Sequence, residues 1–160
     1  MSNDAGLSTN PVCSFSGLPN TPQPLLRVKA LPDAAYTFTQ ADSGCLFTLG
    51  ALTAGRTYTL PPVAQSAGMH IRVVVSALPT QTATFQAPVG LMAGQIVSAV
   101  SAADPGVPTI ANVGNVAKRS VATGANISVG ASAEFVCDGV FWRANALGGS
   151  ANGAAVWAFA

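Results

Sequence analysis

The side chains that could carry out acid–base or metal chemistry are few and widely spaced. The chain of 160 residues has one histidine, His70, and six acidic residues. Catalysis by paired carboxylates requires two acids held together, and a metal site requires His, Cys, Asp or Glu at fixed offsets. The acids show neither pattern in the sequence: they are Asp4, Asp33, Asp42, Asp104, Glu134 and Asp138. We therefore predict a protein that is not an enzyme, with no catalytic residues, no metal site and no cofactor.

A nucleophilic serine or threonine would need an activating base, and His70 is the single candidate. The alternation of the sequence places His70 beside Arg72 on the polar face of a strand, so we interpret it as a surface or interface histidine. Gly148-Gly149-Ser150 precedes no lysine, unlike a phosphate-binding loop. We expect Glu134 to form a cross-strand pair with Arg143.

The cysteines also lack a chemical pattern. Cys13, Cys45 and Cys137 match neither zinc-site spacing nor a C-x-x-C redox motif. Three scattered cysteines favour reduced, buried thiols in a protein made in a cytoplasm, although a Cys13–Cys45 disulfide stays open as an alternative.

The composition is apolar and poor in charge. Hydrophobic residues make up 49% of the chain and charged residues 8%, with a net charge of +1; a typical charged fraction is about 25%. A surface with so little charge favours burial in a larger assembly, and the alternative is a compact domain covered by Ser, Thr, Asn and Gln. The sequence has no basic cluster for nucleic acid and no apolar run of membrane-spanning length. We expect a homo-oligomer that binds neither nucleic acid nor membrane.

The first 24 residues differ from the rest. Residues 1–24 contain four prolines. Proline lacks an amide donor and restricts the residue before it to extended geometry. We predict an extended N-terminal arm at 1–24 and a single β domain at 25–160.

From residue 25 onward, short alternating runs are separated by Gly, Pro, Asp or Asn, which is typical of strands. The predicted strands are Leu25–Ala30, Tyr36–Thr39, Cys45–Leu49, Arg56–Leu60, Met69–Ala77, Thr80–Ala87, Ile96–Val100, Ser120–Ala122, Asn126–Val129, a hairpin over Glu134–Arg143, and Val156–Phe159. No segment has sustained helical periodicity. The pattern predicts an all-β fold, either an antiparallel β-sandwich or a jelly-roll-like barrel.

Four details of this prediction are specific. Met69–Ala77 should bury Met69 and every second residue after it, and should form a hairpin with Thr80–Ala87. Asp138-Gly139 favours a two-residue type I′ turn. Ala102–Val116, with its prolines, is predicted to be a long loop, and the aromatic terminal strand is predicted to dock on a sheet edge.

The aromatic and apolar residues outside these patterns are candidates for subunit contacts. Trp142, Trp157, Tyr58 and Tyr36 also suit a sugar-stacking platform, but a place in the core or at a subunit interface is the favoured interpretation. The predicted interface residues are Pro11, Phe15, Leu18, Leu25, Leu26, Trp142, Val156, Trp157 and Phe159.

Four short sequence motifs occur in a distinctive order: Thr57–Pro62, Ala67–Val75, Thr82–Phe85 and Glu134–Trp142. Together they resemble a β-rich module found in virion structural proteins of tailed bacteriophages, in which a T-L-P strand, a G-x-x-x-x-V-x-V strand and a D-G-x-x-W hairpin follow one another. The module occurs in capsid decoration proteins and in head- or tail-fibre proteins. The resemblance covers roughly residues 45–143, and single jelly-roll minor capsid proteins of large eukaryotic viruses are a neighbouring alternative.

The resemblance implies a virion protein, made in the host cytoplasm, that decorates, cements or completes a capsid. Its expected partners are copies of itself, in a homotrimer, and the major capsid protein or other virion proteins. The alternative is a fibre or receptor-binding module that recognises a glycan on the host surface.

Overall fold

The structure, a computed structural model, describes residues 27–87, 91–100, 108–118, 120–123, 127–150 and 157–159. Within these ranges the chain is almost entirely β, with two short 3-10 turns at Gln40–Asp42 and Val63–Gln65. The strands are β1 (Arg27–Ala30), β2 (Tyr36–Thr37), β3 (Cys45–Leu49), β4 (Arg56–Thr59), β5 (His70–Val75), β6 (Ala83–Gln86), β7 (Leu91–Val100), β8 (Pro108–Lys118), β9 (Ser120–Thr123), β10 (Ser132–Cys137), β11 (Phe141–Ser150) and β12 (Trp157–Phe159).

The strands form two sheets. Sheet A has the order β1-β3-β5-β10-β11-β7-β8, and sheet B has the order β12-β9-β6-β4-β2. Both sheets are mixed, because parallel and antiparallel pairings occur in each. The prediction of an all-β fold is confirmed, whereas an antiparallel arrangement holds for only some of the strand pairs.

The first six strands are wound as a coil. The odd-numbered strands β1, β3 and β5 pair in parallel in sheet A, and the even-numbered strands β2, β4 and β6 pair in parallel in sheet B. The chain therefore crosses from one sheet to the other after every strand. This winding excludes the hairpin predicted between Met69–Ala77 and Thr80–Ala87, since β5 and β6 belong to different sheets. The turn residues at Pro79 were compatible with either a hairpin or a crossover.

Buried residues from both sheets form one hydrophobic cluster within the described part of the chain. On β5 and the residue before it, Met69, Ile71, Val73 and Val75 are buried, and the intervening side chains face outward, as the alternation predicts. Phe85 of sheet B packs against Phe135 of sheet A, with ring centroids 5.2 Å apart. Burial of such aromatic and branched side chains is the main stabilising contribution in a fold of this kind.

Two segments differ from their predictions. The segment predicted as a loop at 102–116 contains most of β8, which pairs with β7. Pro108 is the first residue of that strand and β8 is the last strand of sheet A, and these are the positions at which a strand tolerates a missing amide donor. The strand predicted at 126–129 does not form over its described residues, because Val129 and Gly130 lie in a turn. Gly130 has a φ of 88°.

The hairpin between β10 and β11 forms with its turn shifted by one residue. Cys137 pairs with Trp142, and the Asp138 amide donates to the Phe141 carbonyl, so the loop residues are Gly139 and Val140. Gly139 has a φ of 89° at the first loop position, a left-handed conformation that both type I′ and type II′ turns require there. The Asp138 carboxylate accepts hydrogen bonds from the Val140 and Phe141 amides and so holds Asp138 just before the turn.

Candidate functional site

A row of polar residues crosses the outer face of sheet A. In the register, Arg72 of β5 lies opposite Glu134 of β10, Glu134 lies opposite Asn145 of β11, and Asn145 lies opposite Gln95 of β7. We call these four residues the polar row. Neighbouring strands are about 4.8 Å apart, so the row spans about 14 Å. Four separate strands therefore place two amides, a guanidinium and a carboxylate in a line on a rigid surface.

The polar row lines a shallow groove of about 410 Å³. The next row of the sheet is more apolar: Leu147 lies opposite Val97, and both line the same groove. Leu147 is 58% exposed, which is unusual for a large aliphatic side chain and leaves apolar surface beside the polar groups. The groove therefore offers hydrogen-bonding groups along one line and an apolar surface along the next.

Glu134 contacts His70 and not the predicted partner. The Glu134 Oε1 and His70 Nε2 atoms are 2.7 Å apart, and both side chains are nearly half exposed. The predicted Glu134–Arg143 pair is wrong, since Arg143 lies opposite Val136 and its Nε donates to Asp138 Oδ2 at 2.7 Å. Within the described residues Arg72 makes no ion pair, although Glu134 is its direct neighbour.

Asp138 is fixed as an anion at the end of the hairpin. The two turn amides of Phe141 and Val140, with the Arg143 guanidinium, lower its pKa to about 2. The Arg143 guanidinium also lies 4.9 Å from the centre of the Phe141 ring. Asp138 thus has the turn role expected from the sequence, and Arg143 is held beside it.

A second polar cluster lies at the start of the coil. Asp42 is buried, and its carboxylate accepts hydrogen bonds from Lys29 Nζ at 2.5 Å, Tyr36 Oη at 3.0 Å and the Thr39 amide at 2.9 Å. Burial raises the pKa of Asp42, but the bonds from Lys29, Thr39 and Tyr36 outweigh it and keep the pKa below its usual value. The cluster ties β1 of sheet A to the segment that follows β2 of sheet B.

A further ion pair, between Arg56 and Asp33, joins the loop that follows β1 to the start of β4. Arg56 Nε donates to Asp33 Oδ1 at 2.6 Å, and Thr53 donates to Asp33 Oδ2 through its amide and its hydroxyl. Arg56 and Thr53 lower the pKa of Asp33 to about 2. Asp33 and Asp42 both stabilise the crossovers of the coil.

The first strands of the coil form an exposed end. β1 is the outermost strand of sheet A and β2 the outermost strand of sheet B, and ring contacts of Tyr36 and Phe38 with Phe47 place β2 over β3. All four residues of β1 are exposed, and Val28 is 60% exposed. No described strand pairs with the outer edge of β1 or of β2. We call β1 and β2 the open end.

The cations of β1 do not shield its edge. Arg27 donates to the Ser43 carbonyl at 3.0 Å, and Lys29 binds Asp42. Charged side chains usually protect an edge strand from pairing with another chain. Here both are drawn toward the 42–43 segment of the same chain, and Val28, the residue between them in the sequence, is exposed.

The two tryptophans lie inside the core. Trp142 is fully buried and its indole nitrogen donates to the Pro61 carbonyl at 2.9 Å, while Trp157 is buried and donates to the Leu147 carbonyl. Their side chains therefore offer no platform for a sugar or a partner. Phe159 is half-buried against the core, and its strand β12 pairs with β9 at the edge of sheet B, as predicted for the terminal strand. The remaining predicted interface residues lie outside the described residues: Pro11, Phe15, Leu18, Leu25, Leu26 and Val156.

Three further findings concern the cysteines, the metal-ligating side chains and the helices of the described residues. Cys45 and Cys137 are free and buried, whereas Cys13 and the arm at 1–24 lie outside the described residues. The described part of the chain contains no group of three or more His, Cys, Asp or Glu residues arranged to hold a metal ion. In the same part, no helix has the length and hydrophobicity needed to cross a membrane.

The polar row was missed in the sequence because its members are distant in the chain. Each one occupies an outward position of an alternating strand, which the sequence does indicate, but only the strand order brings the four together. In comparisons with known proteins, no family model, no curated protein and no solved structure matches this chain.

Proposed function

We propose that this chain is a structural protein of a virus particle, acting as a decoration, cement or minor capsid subunit. In this proposal the two sheets form a β-sandwich, the chain associates as a homotrimer, and other contacts go to the major capsid protein or neighbouring virion proteins. The observation that supports association is the open end, where no other described strand pairs with the outer edge of β1 or of β2.

The physical argument begins with the edge of β1. A strand with an unpaired edge is a template for a strand from another chain, and main-chain hydrogen bonds then supply part of the affinity. Val28 adds exposed apolar surface at this edge, and the nearby cations are engaged within the chain. An assembly that covers this surface would stabilise the folded subunit, because a partner that binds only the folded state shifts the folding equilibrium.

The low charge supports the same proposal. With charged residues at 8% of the chain, little of its surface is protected by charge against association. The exposed large aliphatic side chains Val28, Leu78, Val129, Val140 and Leu147 add to the surface that assembly could bury. The virion assignment rests on the resemblance in the order of the four sequence motifs.

The virion assignment is tested by mass spectrometry of virus particles purified from a culture that expresses the chain. We expect peptides of this chain in a fixed ratio to the major capsid protein after density-gradient purification. A chain found only in the soluble lysate, and absent from the particles, would refute the assignment.

A further inference from the structure

We propose that the polar row is a binding site for a neutral, hydroxyl-rich glycan. This inference does not depend on the proposed virion function, because it concerns the outer face of sheet A and not the open end. It replaces the aromatic platform suggested by the sequence, whose two tryptophans are buried.

The first argument is the hydrogen-bonding chemistry of the groove. Asn145 and Gln95 each carry an amide that donates and accepts, Arg72 donates, and Glu134 accepts. Vicinal hydroxyl groups of a sugar donate and accept in the same way. The row of about 14 Å would contact several such groups along a short oligosaccharide.

The second argument is the charge of the groove. Arg72 and Glu134 carry opposite charges in adjacent strands, and the other two members of the row are neutral amides. An anionic polymer such as nucleic acid requires several clustered cations. The balance of charges therefore favours a neutral ligand over a phosphate, a sulfate or a nucleic acid.

The third argument is the apolar surface beside the row. Leu147 and Val97 line the same groove, so a sugar ring can direct its hydroxyls toward the amides and its C–H groups toward the aliphatic side chains. A second protein strand fits the groove less well. The backbone groups of β10 and β11 are already bonded to neighbours on both sides, and only side chains face the groove.

The site is already formed in the free protein. The four side chains arise from four paired strands, and Glu134 is held by His70 through one of its two carboxylate oxygens. A site on paired strands loses little conformational freedom when a ligand binds.

The first experiment applies the full chain to a glycan array that contains neutral, sialylated and sulfated glycans. We expect binding to at least one neutral glycan, and that glycan then serves as the probe in an NMR titration of the isotopically labelled protein. Amide resonances of residues 132–134, 145–147 and 95–97 should shift. Absence of binding to every neutral glycan, or binding to the charged glycans alone, would overturn the proposal.

The second experiment compares two variants with the same probe. The double substitution Gln95→Ala and Asn145→Ala removes two exposed amides and should weaken binding about tenfold or more. Gln81→Ala, an exposed glutamine in the loop before β6, is the matched control and should bind as the wild type does. Equal affinity of the double variant and the control would overturn the proposal. The proposal would also be overturned if, without glycan, the resonances of groove residues shifted as the protein concentration was raised. That result would mean that a second copy of the chain binds this face.

Discussion

Lys29 Nζ lies 2.5 Å from Asp42 Oδ1, so the outermost strand of sheet A is held to the crossover that follows the outermost strand of sheet B. The lysine is partly exposed, and the aspartate is buried and also binds Tyr36 and Thr39. This contact does two things. It closes the first turn of the coil, and it moves a cation away from the edge of β1 with which no other described strand pairs.

Substitution of Asp42 should destabilise the start of the coil. Asp42→Ala removes the acceptor for Lys29, Tyr36 and the Thr39 amide, so we expect a loss of about 1–3 kcal/mol in the free energy of unfolding. Urea denaturation followed by circular dichroism measures it. Lys29→Met is the control that removes only the exposed partner, and its effect should be smaller. A larger loss for Lys29→Met than for Asp42→Ala would contradict this description of the cluster.

Gly94 is required for the pairing of β7 with β11. A Cβ atom at this position would lie 1.8 Å from the Ala144 carbonyl oxygen, far inside van der Waals contact with backbone that cannot rotate away. Gly94→Ala should therefore cost about 3 kcal/mol or more, at the upper end of overpacking effects. Gly50→Ala is the matched control, because its Cβ would meet no atom within 4 Å. Equal thermal midpoints for the two variants would argue against the close approach of these strands.

Acid should destabilise the protein through Asp33 and Asp138. Both have folded-state pKa values of about 2, below the ordinary 3.8. A lowered pKa stabilises the folded state above the unfolded value, and this contribution is lost as the pH falls from about 4 toward 2. Asp138→Asn keeps an acceptor for the turn amides but loses the charge, so its stability should fall less over this interval.

The measurement is the urea midpoint of the wild type and of Asp138→Asn at several pH values. The two curves should differ near neutral pH and approach each other as the pH falls through 2, where the wild-type carboxyl becomes protonated in the folded state. Two parallel curves over the whole range would mean that the Asp138 charge does not contribute in the way the hairpin indicates.

Trp142 should affect folding and not binding. Trp142→Phe removes the indole donor to the Pro61 carbonyl and leaves space in the core, so we expect a loss of about 2 kcal/mol in the free energy of unfolding. Glycan affinity, measured with the probe from the array, should be unchanged. Reduced glycan affinity in a variant that is still folded would mean that Trp142 contributes to the binding surface, which would contradict this prediction.

The sequence predicts strand positions well where alternation is strict. Met69–Ala77 and Cys45–Leu49 show which residues face inward, because the side-chain period of a strand is two. Alternation does not reveal which strand lies next to which, so neither the parallel coil nor the polar row could be predicted. The β8 strand was missed because its proline, which normally interrupts strands, occupies the first position of an edge strand.

Sedimentation equilibrium of Val28→Lys tests whether the open end mediates association. A charge at this exposed position of β1 should weaken self-association at least about tenfold and leave the circular dichroism spectrum unchanged. Val129→Lys places the same charge at a similarly exposed valine, 57% against 60%, in a turn away from the edge, and should associate as the wild type does. We expect loss of the oligomer in Val28→Lys alone. A wild type that stays monomeric at every concentration, or two variants that associate equally, would contradict it.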